Sequence, residues 1–344
     1  MKHRLRILFM QIVRHLLGGL GGVILSKKAA ENLIAQRDSA VIELAAIENS
    51  NLTPGLVGIV VSKDRALQLY SLLATYRELV INPVSLTVIY TASTIEHENA
   101  YKEVEALTLK LHQDIEFIKE SNGFRNTLLK ILDKVQVKNI FFLVDDIVFI
   151  RNIDLAYASK LDTSRYVLSL RHSPHLNRSY TAHRSQMPPQ LSKFKDVQGL
   201  FEFRWFEEGC EWSDPWSVDG QILSTAEVRV ISKVSNFSAP NSYEAALKSF
   251  NGLCIERHGL CYFESKILNL PINRVQIECE NLSGSVSPEY LLNQWHKGMM
   301  LDTSNLLTHI PLSPHEEHLI IFKTRPSELN PIEKQRITDA SAGL

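Results

Sequence analysis

Between residues 56 and 149, short apolar runs alternate with amphipathic segments, and that rhythm restricts the chain to few architectures. "LVGIVV" (56 to 61), "SLTVIYT" (85 to 91), "DIEFIK" (114 to 119) and "NIFFLV" (139 to 144) have the length and β-branched content of buried strands. Arg65 to Val80, Glu98 to His112 and "NTLLKILDKV" (126 to 135) read as helices, the first with Leu67, Tyr70, Leu73 and Ala74 at helical spacing. Asp64 is placed to cap that first helix. Strands alternating with helices of this length predict right-handed βαβ units and a mostly parallel sheet. In such sheets ligands bind outside the carboxyl ends of the strands.

At that end of the fourth strand, "FFLVDDIVFI" (141 to 150) sets two adjacent carboxylates, Asp145 and Asp146, into an apolar run. An unpaired buried carboxylate costs on the order of several kcal/mol, so the pair must reach solvent or hold something cationic. A hard divalent ion fits, because Mg²⁺ or Mn²⁺ takes oxygen ligands from one or two carboxylates and the phosphates of a substrate. The plain alternative is that the two aspartates start a turn.

The rest of the chain is less regular. Residues 26 to 50 read as a helical stretch ending at "NLTPG", and "RYVLSLR" (165 to 171) as a strand followed by a polar loop with Pro188 and Pro189. "FEFRWFEEGCEWSDPWSVDG" (201 to 220) holds Trp205, Trp212 and Trp216. "NSYEAALKSF" opens a helix with Asn241 as cap and Glu244 three residues on, and "SPEYLLNQWHKG" (287 to 298) opens another with Ser287 as cap and Pro288 at its first position. "LNLPINRVQIE" (268 to 278) reads as two strand-like pieces around a proline. The polar end reads as a frayed tail, and there is no internal repeat.

With 344 residues, 44% hydrophobic and 22% charged, the chain can bury an ample core and is not a disordered protein. Lys and Arg number 37 against 38 Asp and Glu, so no basic field invites nucleic acid. Cys210, Cys254, Cys261 and Cys279 lack the spacing of zinc ligands and read as reduced core thiols of a cytoplasmic protein. "MKHRLRILFMQIVRHLLGGLGGVIL" joins early positive charges to an apolar run that Arg14, His15 and four glycines interrupt, so it is not a clean spanning helix. It reads either as a basic helix in peripheral contact with the inner membrane face through residues 1–25, or as a helix packed on the protein's own surface.

"VGIVVSKDRALQLYSLL" followed some eighty residues later by "FFLVDDIVF" resembles the nucleotide-diphospho-sugar transferases of the GT-A fold, especially the family-2-like bacterial glycosyltransferases, over residues 54 to about 155. The resemblance implies a Rossmann-like α/β domain. Its nucleotide-sugar-binding half would be residues 53–155 and its acceptor-binding half 156–323, between a helical extension (1–52) and a polar tail (324–344). It implies that Ser62, Lys63, Asp64 and Arg65 face the nucleotide with Asp145, and that Asp145 and Asp146 hold Mn²⁺ or Mg²⁺ on the donor diphosphate. The motif departs from a full Asp-x-Asp: either Val144 replaces the first acid and Asp146 is the essential ligand, or Asp145 leads and Ile147 replaces the last. Asp146 is favoured, because these families often read Asp-Asp-Asp before an apolar residue. No GxGxxG or Walker-type loop is present.

"PWSVDGQIL", "NSYEAAL", "ILNLPINRVQ" and "PHEEH" carry the same resemblance less sharply. There it implies Asp219 as the base that deprotonates the acceptor, against the alternative of an Asp-Gly turn, with Glu211, Asp214 and Glu244 as rivals. His315 would be a third metal ligand or a surface histidine. Trp212 and Trp216, or Trp205, would stack on the acceptor or belong to the core. Asn273 and Gln276 are polar contacts without an assigned role. The expectation is a metal-dependent glycosyltransferase joining a nucleoside diphosphate sugar to a carbohydrate or glycolipid hydroxyl in surface polysaccharide or glycolipid assembly. Two other readings stand beside it: a nucleotidyltransferase or phosphohydrolase on a Rossmann-like sheet, and a catalytically lapsed sugar-binding or assembly protein.

Overall fold

The computed structural model describes residues 26–109, 114–180, 182–205, 211–275 and 283–326. In chain order these give α1 (Lys27–Ser50), β1 (Thr53–Lys63), α2 (Ala66–Leu79), β2 (Leu86–Thr91), α3 (Ile95–Leu109), β3 (Ile115–Lys119), α4 (Phe124–Lys134), β4 (Val137–Val144) and β5 (Ile147–Phe149). Then follow β6 (Tyr166–Ser169), β7 (Ser192–Lys193), β8 (Leu200–Arg204), β9 (Gln221–Ser224), α5 (Thr225–Val234), α6 (Pro240–Lys248), β10 (His258–Tyr262), β11 (Ile267–Asn269) and α7 (Pro288–His296). Shorter turns and bridges connect them.

The main sheet has nine strands in the order β7-β8-β10-β6-β9-β4-β1-β2-β3. Its β3-β2-β1-β4 part is parallel throughout, as the strand–helix alternation predicts. Beyond β4 the sheet becomes mixed: β9 runs antiparallel to both β4 and β6, β10 lies parallel to β6, and β8 is antiparallel to β10. The chain is an α/β protein with a parallel core.

Two large apolar clusters cover the two faces of the parallel strands. Leu56, Val60, Val88, Phe141 and Leu143 lie in one with the buried side of α2, while Ile59, Ile89, Ile140 and Phe142 lie in the other with α4 and α5. Alternate residues of one strand serving opposite faces is the period-two pattern of a sheet buried on both sides. Helix α1 packs on the second face through Val41 and Ala45, and Arg229 of α5 reaches its Glu48 at 2.7 Å. No described helix is long and apolar enough to cross a membrane. The basic segment 1–25, Cys210, Cys279, Gln276 and the tail from 327 onward lie outside the described residues. Cys254 and Cys261 are buried free thiols, as expected of core cysteines.

Two caps differ from the sequence reading. Helix α6 begins at Pro240, one residue before Asn241, and the hydroxyl of Ser242 accepts from the backbone N–H of Ala239 at 3.0 Å. No side chain caps α2, because Asp64 adopts the left-handed conformation (φ 54°) and turns toward β2. Ser287 caps α7 as predicted, accepting from Tyr290 N at 3.1 Å with Pro288 following.

Candidate functional site

Sheet order locates the site before any side chain is considered. From β1 the chain steps outward to β2 and β3, then returns over α4 to the other side of β1 as β4, so the strand order reverses between β1 and β4. A crevice opens outside the carboxyl ends of the strands at such a switch point. Register sets Val61 opposite Val144, which brings Ser62 and Lys63 beside the Asp145-Asp146 turn. The Asp145 N–H donates to Val61 O at 3.2 Å.

Asp145 is fully engaged there. Its Oδ2 accepts from the Ser62 hydroxyl at 2.8 Å and the Lys63 N–H at 3.1 Å, and its Oδ1 from Arg65 Nη1 at 2.8 Å. Because Ser62 donates to Asp145, the Tyr101 hydroxyl must donate to Ser62 Oγ, 2.6 Å away, while accepting from the Arg65 N–H at 3.1 Å. Arg65 also donates to Asp146 Oδ2 at 3.2 Å and to the Asn273 carbonyl. The cation that the buried aspartate pair demands is thus supplied first by the chain itself. Burial alone would lower the Arg65 pKa, but Asp145 and Asp146 more than offset it and raise it.

Asp146 is placed differently. Besides Arg65 it has one side-chain donor among the described residues, Asn269 Nδ2 at 3.0 Å to Oδ1. Burial, countered in part by Arg65, pushes its pKa up to about 6, and the negative charges of Asp145 and Asp219 add to the rise. A carboxylate crowded by other carboxylates gains most from a cation. Of the pair Asp145 is the more engaged, with three donors on its two oxygens against two on those of Asp146. Asp146 lines the crevice, and Asn269 Oδ1 and His315 Nδ1 are buried without a hydrogen-bond partner among the described residues. Among the described residues these side chains are not gathered into a closed His and carboxylate cage. They fit the looser mode in which Mg²⁺ or Mn²⁺ is held by one carboxylate and the phosphates of a ligand.

Asp64 is turned away from the crevice. Its carboxylate accepts from Ser93 N at 2.7 Å and Ser93 Oγ at 2.6 Å, so it ties the loop after β1 to the loop after β2 and does not line the crevice. Ser62, Lys63 and Arg65 do line it, with Thr91 and Glu120 from the ends of β2 and β3.

Antiparallel β9 brings the far wall to the same edge. Because it pairs backwards against β4, its entry residues Asp219 and Gly220 arrive beside the end of β4, and Gly220 N donates to Phe142 O at 2.8 Å. Gly220 has φ 83°, and a Cβ there would lie 2.4 Å from Ile267 Cδ1, so only glycine fits. Asp219 Oδ2 accepts from Arg171 Nη1 at 3.2 Å and lies 3.5 Å from His315 Nε2. Burial would raise the Asp219 pKa, but His315 and Arg171 outweigh it and hold it low; the same pairing overcomes burial to raise that of His315. His315 therefore faces Asp219 as an ionic partner, half-buried and not on the surface.

Arg171 is the functional-looking residue the sequence reading missed. It is buried among Asp219, Asp214 at 3.8 Å and Glu211 at 4.0 Å. Its only signal is a charge directly after an apolar strand, the same pattern that singled out Asp145. Lys248, 2.7 Å from Asp214 and 3.4 Å from Glu244, was missed as well. Burial and Asp214 push the Glu244 pKa upward against Lys248. Asn273 supports Arg65 through its carbonyl, and its side-chain oxygen accepts from Gln68 Nε2 at 3.1 Å.

Trp212 and Trp216 are corrected from acceptor contacts to core. Both are fully buried: Trp212 packs against His172 and Phe203, and the Trp216 indole donates to Phe250 O at 3.2 Å. Half-buried Trp205 joins the Trp212 group, stacked edge-on against Phe203. The flat surfaces that could have met a sugar are spent on the protein interior.

The walls enclose a cavity of about 770 Å³, large enough for a nucleotide and part of a second ligand. Among the described residues, seven carboxylates line it against five Lys and Arg side chains. An anionic ligand entering this field is favoured if a cation comes with it.

A structural likeness is found to the mannosyltransferase PcManGT from Pyrobaculum calidifontis in complex with GDP-Man and Mn²⁺, at 16% identity and a TM-score of 0.27, covering 40% of this chain and 46% of that one. The likeness spans less than half of either chain. No family model and no curated protein matches the chain.

Proposed function

We propose that the chain is a glycosyltransferase moving a sugar from a nucleoside diphosphate sugar to a hydroxyl of a carbohydrate or glycolipid acceptor. The observation that carries this reading is the meeting of the Ser62–Arg65 loop and the Asp146 carboxylate at the β1/β4 switch, facing a second wall of acids across one cavity. The resemblance of residues 54 to about 155 to GT-A enzymes supports it independently. Asp146, with Asn269 Oδ1 and His315 at hand, would hold Mn²⁺ or Mg²⁺ on the diphosphate. A metal bound there supplies charge stabilisation to the leaving diphosphate.

The chain's own groups do the rest. Lys63, exposed at the rim, and Arg65, fixed at the floor, set positive charge beside the donor. Asp219 is held ionised, faces the cavity from a rigid Asp-Gly corner and is the proposed base toward the acceptor hydroxyl. Glu244, whose pKa burial and Asp214 push upward, is its rival. Positioning of both substrates between two rigid walls contributes to rate by holding the reacting atoms together.

A second reading is favoured by one contact set: Arg65 already bridges both aspartates, so it can act as the fixed cation of a metal-independent site. Thermal unfolding with UDP, GDP, CDP, ADP and CMP, each with Mn²⁺ or with chelator, separates the two. The proposal expects one nucleotide to raise the midpoint only with Mn²⁺, and Asp146→Asn to lose that rise while its own unliganded midpoint is no lower than the parent's. An equal rise in chelator favours the Arg65 reading. No rise with any nucleotide, in a folded protein, overturns both.

A further inference from the structure

A second cluster of ligating side chains lies outside the cavity. His309 Nε2 and His318 Nε2 converge on the same oxygen, Glu316 Oε2, at 2.5 and 3.2 Å. The three atoms lie within 4.8 Å of one another, and among the described residues no other such group of His, Cys, Asp or Glu is found. The imidazole rings stand nearly perpendicular, their centres 4.7 Å apart. All three side chains are half-buried, so an ion has a path from solvent.

We propose that His309, Glu316 and His318 bind one divalent transition metal of the Zn²⁺ class, a site separate from the Asp146 cavity and independent of the transferase reading. Two imidazoles and one carboxylate suit Zn²⁺ and do not suit Mg²⁺ or Ca²⁺, which take oxygen. Ligands at about 2.0–2.1 Å around a tetrahedral ion stand about 3.3 Å apart. The 3.2 Å pair already meets that spacing, and the 2.5 Å pair opens slightly to admit the ion. The carboxylate is prepared for the role. Its Oε1 accepts from Leu312 N at 2.7 Å and Ser313 N at 3.1 Å, which fixes its plane and leaves Oε2 aimed at the two histidines.

The surrounding contacts show what the ion would do. Arg151 donates to His309 O at 2.7 Å and anchors the entry of this loop. At its exit Glu316 N donates to Asn269 O at 3.1 Å, and His315, next in the chain, bridges to the same residue. Asn269 also donates to Asp146. A metal clip across residues 309–318 therefore holds the segment that places His315 against Asp219.

The test uses the full chain stripped with chelator and titrated with Zn²⁺ alone. One equivalent should bind per chain and raise the thermal midpoint by several degrees, with Mg²⁺ giving no such rise at the same concentration. Co²⁺ in place of Zn²⁺ should give the visible absorption of a four-coordinate ion. X-ray absorption of the Zn²⁺ form should show two imidazole ligands, a readout that needs no variant. Binding should survive in Asp146→Asn and fall at least a hundredfold in His309→Ala, His318→Ala and Glu316→Gln, whose midpoints in chelator match the parent. Failure to bind one Zn²⁺, a spectrum without two imidazoles, or unchanged binding in the His309 and His318 variants overturns the proposal.

Discussion

Arg65 and Arg171 each lie buried among carboxylates on opposite walls of one cavity, yet the two clusters are built differently. Arg65 makes short contacts with two aspartates of a single turn and caps a carbonyl, so its neighbours depend on it. Arg171 stands 3.2 to 4.0 Å from three acids of the surrounding segments, and each acid has another partner. Asp219 has His315, Asp214 has Lys248, and Glu211 accepts from Ser179 at 2.8 Å. The Arg65 wall, the donor wall of the proposed function, is a closed knot; the Arg171 wall, its acceptor wall in that proposal, is held by longer contacts.

Removing each arginine is the most direct way to break this contrast. Arg65→Met leaves Asp145 buried without a cation and should destabilise the fold by about 3–5 kcal/mol, the cost of an uncompensated buried charge. Arg171→Met should cost less, on the order of 1–3 kcal/mol, because Asp214 keeps the cation Lys248 and Asp219 keeps His315. Urea unfolding of the two variants checks it, and equal losses would erase the distinction.

A smaller effect belongs to the acceptor wall's chemistry. Asp219→Asn should lower kcat by at least about a hundredfold with the donor KM little changed, if this carboxylate takes the acceptor proton. Glu244→Gln measured in parallel decides between the rivals: the larger loss in kcat marks the base.

Much of the donor wall was legible because its signals are local. The strand–helix alternation, the charged pair in "FFLVDDIVF" and Arg65 after the first strand each stand within a few residues of what they contact through neighbouring strands. Asp64 was misread because a residue after a strand reads as a helix cap, while its left-handed backbone turns it to Ser93 instead. The acceptor wall was harder to read. Arg171, Asn269 and Lys248 acquire meaning only when the antiparallel β9 folds their loops onto the edge of β4. Trp212 and Trp216 were misassigned because composition cannot tell a core indole from a sugar platform.

Acidity sharpens the comparison next. The Asp146 pKa is raised from an ordinary 3.8 to about 6, so between roughly pH 4 and 6 the folded state binds more protons than the unfolded one. Stability contributed by this group therefore falls as pH rises through that window, on the order of 2–3 kcal/mol. Asp219, held low, acts in the opposite sense: its stabilisation is present above the unfolded carboxylate pKa and is lost as pH falls through its folded value. Asp146→Asn should remove the first trend, so the variant gains on the parent between pH 4 and 6 in chelator. A parallel pair of stability curves would show that Asp146 does not carry the strain.

The smallest effect tests whether Asp64 belongs to the donor wall at all. Its carboxylate's two hydrogen bonds go to Ser93, which does not line the cavity, and fasten one loop to another. Ser93→Ala removes the hydroxyl donor and leaves the backbone donor in place. The expected loss is about 1 kcal/mol of stability, the ordinary net worth of one hydrogen bond strengthened by a charged acceptor. Nucleotide affinity should not change, because the Arg65 knot holds Ser62 and Lys63 through Asp145 and not through Asp64. If affinity falls while stability does not, the loop after β1 is positioned from β2 as well. The closed knot would then extend one strand further than its short contacts indicate.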